Sequence, residues 1–397
     1  MKKIAIINQR YGMEVNGGSE YYTRLIAEHL KEYYEVEILT TTALNYDTWE
    51  NYFPEGVADV NGIKVKRFAV KRPRNRIRFG LARRVKTYFG WLGTCIDKLW
   101  VHEQGPYAPD LIKYIEEHEK EYDKFLFVTY LYYSTVMGIP KVMDKAILIP
   151  TAHDEPYIYY GIYRDMFQKA SGIVYLTEEE KEFVQKTFHN EDIPSTVAAV
   201  GIDIPDMMCN TEGKNEAIMR FRKKYHIDGE YIIYAGRVDT SKCCDEMLEF
   251  YQRYVEENAC DLQLVIMGKS MLTIPKKHGI HYVGFVSDED KMAGIAGAKY
   301  LWLPSKYESL SIALLEGLAL GAPGLVNGKC EVLKGHAIRS GAAYHYSNWK
   351  EFETCMNQMC ACKDEEYQAM SRAAREYVAE NYCWENIEKK LVEMIER

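Results

Sequence analysis

Short apolar runs alternate with amphipathic stretches along most of the chain. Lys3–Ile7 and Val36–Thr40 have the composition of buried strands, and the stretch between them places Tyr22, Ile26 and Leu30 on one helical face. The same pattern predicts strands at residues 63–70, 124–130, 145–149, 172–176, 196–200, 231–235, 262–267, 280–283, 300–303 and 324–326, and helices at 177–188, 242–257 and 288–296. This alternation predicts an α/β fold of two doubly wound, Rossmann-like domains that face each other across a cleft.

The stretch from Lys299 to Pro323 is the most informative of these units. A short buried strand leads into the polar turn 304–309, and apolar residues then recur at helical spacing, so Ser309 is predicted to cap a helix. The amino terminus of a helix attracts anions, because its N–H groups are unpaired and its dipole is positive there. Two carboxylates, Glu308 and Glu316, flank this predicted anion site.

On a helix, the spacing of Glu308 and Glu316 corresponds to about 12 Å along the axis and about 80° around it. This separation suits the two ends of one extended ligand better than two acids that share a proton. A diphosphate over the helix start with a hydroxyl-rich group at each end, as in a nucleotide sugar, would use the whole element. The alternative is an ordinary strand–helix unit with two solvated glutamates.

A second strand–helix junction, Gly236 to Lys242, supplies cations. Arg237 and Lys242 can converge on a diphosphate, Arg237 as a planar fork and Lys242 as a point charge. Together they would neutralise the charge that develops on the leaving group of a glycosyl transfer. The alternative is a pair of surface cations.

Further candidates lie in the amino-terminal half. Gly17 and Gly18 open the first helix, where backbone without side chains can approach a phosphate or an acceptor closely, although glycine pairs are also common in ordinary loops. His153 follows a predicted strand, between Pro150 and Pro156, and can hydrogen-bond a sugar hydroxyl. A histidine with a purely structural role is the alternative at this position.

Residues 64–92, the basic segment, have an unusual composition. Eleven Lys or Arg residues and no acid occur between Lys64 and Lys86, and an aromatic-rich run at 88–92 follows. Cations mixed with aromatic residues suit an anionic membrane surface or a phosphorylated acceptor. The alternative is a solvated charged loop followed by a helix that faces the core.

Composition narrows the class of protein. The length of 397 residues suits two domains, with the polar stretch 205–215 as the linker, and a net charge of −8 argues against a nucleic-acid partner. The first apolar run is too short for a signal peptide, and the sequence has no apolar run of about 18 residues. Ten cysteines without an export signal favour free thiols, and none of them shows zinc-site spacing. We therefore expect a cytoplasmic protein without a metal, and the basic segment is the candidate for peripheral contact with the inner face of the membrane.

Four motifs resemble those of the family-4 retaining glycosyltransferases, the glycosyl transferases group 1, which have the GT-B fold. They are Gly17-Gly18-Ser19-Glu20 before a helix, Gly236-Arg237 with Lys242, Gly284-Phe285-Val286-Ser287 before a helix, and Pro304-Ser305 with Glu308, Glu316 and Gly321-x-Pro323. The resemblance implies an acceptor-side domain at residues 1–205, a nucleotide-sugar-binding domain at 206–380, and a helix at 381–397 that crosses back to the first domain. Cys243 departs from the pattern, because the family usually has glycine after the lysine.

The resemblance also assigns roles to individual residues. The implied donor-binding set is Gly17, Gly18, Arg237, Lys242, Phe285, Val286, Glu308, Ser309, Leu310, Ser311 and Glu316, and the implied catalytic set is His153, Glu308, Arg237 and Lys242. Within these sets, Glu316 would bind the ribose, Glu308 the transferred sugar, and the backbone near Phe285 the base. The reaction would retain the anomeric configuration through front-face attack, without a metal or another cofactor.

The implied activity is transfer of a hexose or N-acetylhexosamine from a UDP- or GDP-sugar to a carbohydrate or lipid-linked glycan, as in cell-surface polysaccharide biosynthesis. One alternative is a relative that epimerises or phosphorolyses sugars. Another is a non-catalytic carbohydrate-binding protein, which we would expect to have lost Arg237, Lys242 or a motif glutamate. All of these residues are present in the sequence.

Overall fold

The computed structural model describes residues 1–89, 93–258, 260–277 and 279–397. By its contacts the chain divides into unit 1, which comprises Met1–Val200 and Glu385–Arg397, and unit 2, which comprises Gly201–Trp384. Each unit contains one largely parallel sheet and several helices, so the predicted α/β class is confirmed. Trp91 and Leu92 of the basic segment lie outside the described residues.

Unit 1 is built on an eight-stranded sheet. Its strands are β1 Lys3–Ile7, β2 Glu35–Thr41, β3 Gly56–Val60, β4 Ile63–Phe68, β5 Lys124–Val128, β6 Ala146–Ile149, β7 Gly172–Tyr175 and β8 Ser195–Val197. They lie in the order β3-β4-β2-β1-β5-β6-β7-β8, and all neighbours are parallel except β3 and β4. The strand order reverses between β1 and β5, and the loops after such strands are where open α/β sheets bind ligands.

The helices of unit 1 connect these strands. They are α1 Gly18–Leu30, α2 Arg76–Phe89, α3 Thr94–Gln104, α4 Pro109–Glu117, α5 Tyr133–Gly138, α6 Arg164–Lys169 and α7 Glu178–Phe188. A core of buried side chains includes Trp100, Phe125, Phe127 and Tyr163. Burial of these large apolar surfaces stabilises the unit.

Unit 2 has a six-stranded, fully parallel sheet in the order β11-β10-β9-β12-β13-β14. Its strands are β9 Tyr231–Ala235, β10 Gln263–Met267, β11 Ile280–Gly284, β12 Tyr300–Leu303, β13 Gly324–Asn327 and β14 Ala343–Tyr346. This is the strand order of a Rossmann sheet, with the reversal between β9 and β12. The Gly236-Arg237 motif follows β9 and the Pro304-Ser305 motif follows β12, so both lie at the switch point.

The helices from residue 206 onward are α8 Asp206–Cys209, α9 Thr211–Tyr225, α10 Cys244–Glu257, α11 Asp288–Ala296, α12 Ile312–Ala319, α13 Glu331–Ser340, α14 Trp349–Ala361, α15 Asp364–Asn381 and α16 Trp384–Glu396. From Glu385 onward, α16 groups with unit 1. There, Glu388 accepts a hydrogen bond from the Tyr33 hydroxyl (2.8 Å) and Glu396 pairs with Lys2 (2.5 Å). The helix also buries Ile387, Leu391 and Met394, so apolar packing attaches it to unit 1 together with these polar contacts.

The structure corrects the predicted elements. Strands β3 and β14 were not predicted; both lie at a sheet edge, and most of their residues are exposed or only partly buried. The proposed linker, 205–215, is largely helical: α9 begins at Thr211, and the Asn210 side chain accepts a hydrogen bond from the Gly213 N–H (2.7 Å). Few residues of α9 are buried, which explains why its sequence lacks an apolar period.

Within the described part of the chain, no helix combines the length and the apolar character that crossing a bilayer requires.

Candidate functional site

Backbone hydrogen bonds join the ends of β9, β10 and β11. The Gly236 N–H donates to the Met267 carbonyl (3.0 Å), and the Gly268 N–H donates to the Gly284 carbonyl (2.7 Å). A Cβ on Gly268, where φ is 130°, would lie 1.9 Å from the carbonyl oxygen of Gly236. Only glycine fits such a close approach. This packing fixes the start of the loop that carries Arg237 at the switch point of the sheet.

Asp239 shapes the turn between the two predicted cations. Its carboxylate accepts hydrogen bonds from the backbone N–H of Lys242 (3.0 Å) and from the Ser241 hydroxyl (2.6 Å). The other carboxylate oxygen lies 3.5 Å from Nη2 of Arg237. Asp239 therefore caps the turn and orients a cation at the same time. Sequence analysis did not select it, although an aspartate three residues before the turn's end is the pattern of a cap.

Lys242 and Glu308 form an ion pair between the loops that follow β9 and β12. Their Nζ and Oε1 atoms are 2.6 Å apart, and the two side chains are 28% and 17% exposed. The structure thus brings together a predicted phosphate ligand and a predicted sugar ligand. Each charge is balanced by the other while both stay open to solvent.

Cys243 adopts a left-handed backbone conformation, with φ 56° and ψ 31°. Glycine takes this conformation readily, whereas a residue with a side chain pays about 1–2 kcal/mol for it. The side chain of Cys243 is buried, and burial raises the pKa of its thiol. The departure from the family pattern therefore leaves the glycine-type backbone in place beside Lys242.

Helix α12 begins later than predicted. Ser311 has φ 67° and ψ 72°, so the helix starts at Ile312, and the prediction that Ser309 caps it is wrong. Among the described residues, the N–H groups of Leu314 and Leu315 donate to the Ser311 carbonyl (3.0 and 3.3 Å), so the first turn leaves the N–H groups of Ile312 and Ala313 for a ligand. Glu308 lies in the turn before the helix, so the helical spacing predicted between the two glutamates does not apply.

A buried histidine supports this turn. In the His336 ring, which belongs to α13, Nε2 lies 3.0 Å from the Leu310 carbonyl and Nδ1 lies 2.9 Å from the Tyr377 hydroxyl. A carbonyl only accepts, so Nε2 carries the proton that it donates to Leu310. His336 therefore fixes the backbone directly after the predicted ligands. Nothing in the local sequence of α13 indicates this contact.

Glu316 is buried on α12 and pairs with Lys291 of α11. The two charged atoms are 2.8 Å apart, and the glutamate side chain is 5% exposed. Lys291 lies in the first turn of α11, the helix that follows the Phe285-Val286 stretch, and Phe285 itself is exposed beyond the edge strand β11. Glu316 and Glu308 thus have different lysine partners. Sequence analysis did not select Lys291, because its partner Glu316 lies on a different helix.

In unit 1, Gly17 lies against a buried ion pair. Glu20 accepts hydrogen bonds from Nη2 of Arg10 (2.5 Å) and from Nε2 of Gln9 (2.9 Å). A Cβ on Gly17 would be 2.0 Å from a Glu20 oxygen, whereas no described atom lies within 4 Å of the Cβ position of Gly18. Gly17 is therefore required by internal packing, and the exposed Gly18 is the one open to a ligand.

His153 follows β6 and lies near the carboxylate of Glu155. Its Nε2 lies 3.7 Å from Glu155, which also accepts a hydrogen bond from the Tyr130 hydroxyl (2.6 Å) at the end of β5. Burial raises the pKa of Tyr130 well above its ordinary value, so the hydroxyl remains a donor. The carboxylate therefore links the histidine loop to the switch point of this sheet.

Glu180 positions the backbone just before His153. Its fully buried carboxyl group accepts hydrogen bonds from the N–H groups of Ala152 and Leu176. Burial raises the pKa of Glu180 to about 8, although the two N–H donors oppose the shift. Thr151, the residue before Ala152, has φ 51°, which is unusual for a β-branched residue. The capping pattern Thr177-x-x-Glu180 was the available sequence signal.

Within the described residues, no group of three or more His, Cys, Asp or Glu side chains is arranged to hold a metal ion.

Comparison with known proteins gives a family match within unit 2. Residues 217–377 match the family described as Glycosyl transferases group 1. The chain carries a glycosyl transferases group 1 domain. By this domain the protein is a glycosyltransferase, and the domain includes both strand-end loops and both glutamates described above.

Solved structures extend the similarity to the whole chain. HepE of Anabaena, in complex with UDP and glucose, has a TM-score of 0.71 at 12% identity over 100% of both chains. Sucrose-phosphate synthase of Thermosynechococcus elongatus has 0.67 at 13% identity, over 99% of this chain and 98% of the other. WaaG, a glycosyltransferase of lipopolysaccharide biosynthesis, has 0.65 at 16% identity, over 97% and 98%. These similarities establish the GT-B fold, while no curated protein sequence matches the chain.

Within the group 1 domain, the residues missed by sequence analysis share one property. Asp239, Lys291 and His336 each act on a residue that was selected, either through its charge or through its backbone. Lys291 and His336 come from helices remote in sequence from their partners. Such contacts are invisible until the domain is folded.

Proposed function

We propose that the protein transfers a hexose or N-acetylhexosamine from a UDP- or GDP-sugar to a carbohydrate or lipid-linked glycan acceptor, as in cell-surface polysaccharide biosynthesis. The observation that carries this proposal is the Lys242–Glu308 ion pair, which joins two loops at the switch point of the unit 2 sheet. A cation beside a carboxylate offers one partner for a diphosphate and one for sugar hydroxyls. The UDP and glucose bound to the structural relative HepE support this choice of ligand.

Donor binding would exchange the partner of Lys242. A diphosphate carries more negative charge than one carboxylate, so it competes with Glu308 for the lysine and also attracts Arg237. Glu308, released from its ion pair, then accepts hydrogen bonds from the hydroxyls of the transferred sugar. The 2.6 Å ion pair between Lys242 and Glu308 is therefore the arrangement of the donor-free protein, and donor binding would open it.

The remaining donor contacts follow the resemblance. Glu316 would accept hydrogen bonds from the ribose hydroxyls, the backbone at Ser309, Leu310 and Ser311 would donate to the diphosphate, and Phe285 and Val286 would flank the base. The Lys291 ammonium balances the charge of the Glu316 carboxylate at its buried position. The buried carboxylate is thereby ready to accept.

We propose a retaining, metal-independent reaction. The bond from the anomeric carbon to the diphosphate oxygen breaks, and a bond from that carbon to the acceptor oxygen forms on the same face. The proton of the acceptor hydroxyl passes to the departing phosphate oxygen. Arg237 and Lys242 balance the negative charge that accumulates on the leaving group.

Unit 1 is proposed to serve the acceptor. His153 would hydrogen-bond a sugar hydroxyl, and Gly18 would allow a phosphate to approach the backbone. Gly17 is assigned a structural part, because the Glu20 carboxylate fills the space beside it. A lipid-linked acceptor would place the protein in the cytoplasm, peripheral to the inner face of the membrane.

Isothermal titration with UDP, GDP and ADP tests donor binding. Arg237→Ala and Glu316→Gln each remove a contact to a charged or polar group of the ligand, so we expect roughly 10- to 100-fold weaker binding of the correct nucleotide. Glu331→Gln is the matched control, because Glu331 is an exposed acid in the first turn of the next helix. Equal affinity in all four proteins would refute the assignment of the site.

Product analysis by NMR tests the reaction itself. A retained anomeric configuration in a glycoside formed only with acceptor supports the proposal. An altered sugar nucleotide formed without acceptor would identify an epimerase instead. Tight nucleotide binding without any product would identify a binding protein, and undiminished turnover in Arg237→Ala would exclude the proposed mechanism.

A further inference from the structure

Helix α2 exposes three large apolar side chains. Ile77 is 82% exposed, Leu81 60% and Tyr88 74%. At about 100° per residue, the three lie within about 40° of one another around the helix axis. Phe79 and Ala82 point to the other side of the helix and join the core of unit 1. Ile77, Leu81 and Tyr88 therefore form one solvent-facing row, the apolar stripe.

Most cations of the basic segment contact other groups of unit 1, among them Lys64, which pairs with Glu37, and Arg67, which donates to the Tyr11 carbonyl. Lys71 pairs with Asp110 (2.6 Å), Arg72 pairs with Glu103 (2.8 Å), and Lys86 pairs with the buried Asp97. Arg74 donates to the carbonyl oxygen of Gln104. The eleven cations counted in the sequence therefore overstate the charge available to a partner. Of the basic segment, only α2 remains as a candidate interaction surface.

Two arginines of α2 remain available beside the apolar stripe. Arg84 lies about 20° from Ile77 around the axis, and Arg78 lies about 100° from Ile77. Both are exposed, and in the described ranges neither has a carboxylate within ion-pair distance. Apolar side chains flanked by unpaired cations are the pattern of a helix that lies in a membrane interface.

We propose that α2 docks the protein on an anionic lipid bilayer, with the apolar stripe among the acyl chains and Arg78 and Arg84 at the headgroups. Charge selects this occupant: the net charge of −8 repels an anionic surface elsewhere on the protein, so the local cations fix the orientation. A second copy of α2 would instead bring Arg78 and Arg84 against like charges. The docking deepens the proposed function by naming how a lipid-linked acceptor is reached.

Vesicle co-sedimentation tests the docking without any turnover, so its outcome is independent of the donor assignment. The probes are vesicles of phosphatidylcholine alone and vesicles in which about one quarter of the lipid is phosphatidylglycerol. We expect the protein to bind the anionic vesicles preferentially. Arg78→Gln/Arg84→Gln should weaken that binding by about 30-fold, because each cation contributes roughly a factor of five near the surface. Ile77→Ser/Leu81→Ser should weaken it by at least about tenfold.

The control variants are Ile338→Ser, an apolar side chain of unit 2 with 64% exposure, and Lys350→Gln/Lys389→Gln, which removes two exposed cations elsewhere. Both should bind vesicles as the unchanged protein does. Equal binding by all variants, or equal binding to both vesicle types, would overturn the proposal. Sedimentation velocity without lipid provides the other outcome: a dimer that Ile77→Ser/Leu81→Ser abolishes would make the stripe a contact between copies of the chain.

Discussion

The buried Glu180 predicts a specific dependence of stability on pH. Its ordinary pKa of 4.5 is raised to about 8 in the folded chain, chiefly by burial. The folded state therefore keeps the proton over a range in which the unfolded chain releases it. Because the folded state binds more protons there, the free energy of unfolding falls as pH rises.

The size of this effect follows from the two pKa values. One pKa unit corresponds to 1.36 kcal/mol, so Glu180 lowers the free energy of unfolding by about 3–4 kcal/mol between about pH 5 and pH 8. The loss is essentially complete above the folded pKa. Glu180→Gln removes the titration but presents an amide N–H to one of two backbone donors, which costs about 1–3 kcal/mol at every pH. The variant should therefore be the less stable protein at pH 5 and should approach or overtake the unchanged protein by pH 8.

Hydrogen exchange in increasing urea provides the assay. Peptides from residues 146–188 report on unit 1 alone, which matters because a chain of two units need not unfold in one step. The quantity compared is the difference in unfolding free energy between the unchanged protein and Glu180→Gln at each pH, so other titrating groups cancel. Glu182→Gln, an exposed residue of the same helix, is the control and should show no such trend.

One result would refute the reasoning. If the difference between the two proteins stays constant from pH 5 to pH 8, Glu180 is ionised throughout, and the N–H groups of Ala152 and Leu176 outweigh burial in setting its charge.

Two further predictions concern unit 2. Lys291→Met removes the ion pair of the buried Glu316 and should lower the free energy of unfolding by about 2–3 kcal/mol. Glu316→Gln in the same chain should restore part of that loss. A double-mutant cycle measured by urea unfolding tests this, and additive losses would show that the two side chains are not coupled. Cys243→Val places a β-branched residue in a left-handed conformation and should destabilise the protein by about 2 kcal/mol. Cys243→Gly should change the stability by less than about 1 kcal/mol. Thermal unfolding of both variants measures the difference, and equal effects would contradict the role assigned to the backbone.

The position of the donor loops was accessible from sequence, whereas their detailed geometry was not. Tyr300–Leu303 is apolar throughout and ends at a proline, so the strand and the turn after it could be recognised locally. The start of α12 could not, because the left-handed Ser311 depends on contacts such as that between His336 and Leu310. Ser309 and Ser311 are equally good cap candidates in the sequence, and only packing chooses between them.

The charged residues show even more clearly what local sequence can predict and what it cannot. The composition of the basic segment is plain in the sequence, but which cations face solvent is decided by partners far along the chain, such as Asp97 for Lys86 and Asp110 for Lys71. An ion pair depends on a distance of a few ångströms between side chains, and sequence separation carries no information on that distance. Local pattern therefore cannot separate a structural cation from an available one.

The sequence by itself determined the alternation of buried strands and helices, and it determined that Arg237, Lys242 and Glu308 follow strand ends. These properties depend on apolar periodicity and turn chemistry, which are local. Only the tertiary structure decided that β9 and β12 are neighbours at the switch point, that Lys242 meets Glu308 and that Lys291 meets Glu316. Those contacts depend on strand order and helix packing, which arise from burial of the whole core rather than from any one segment.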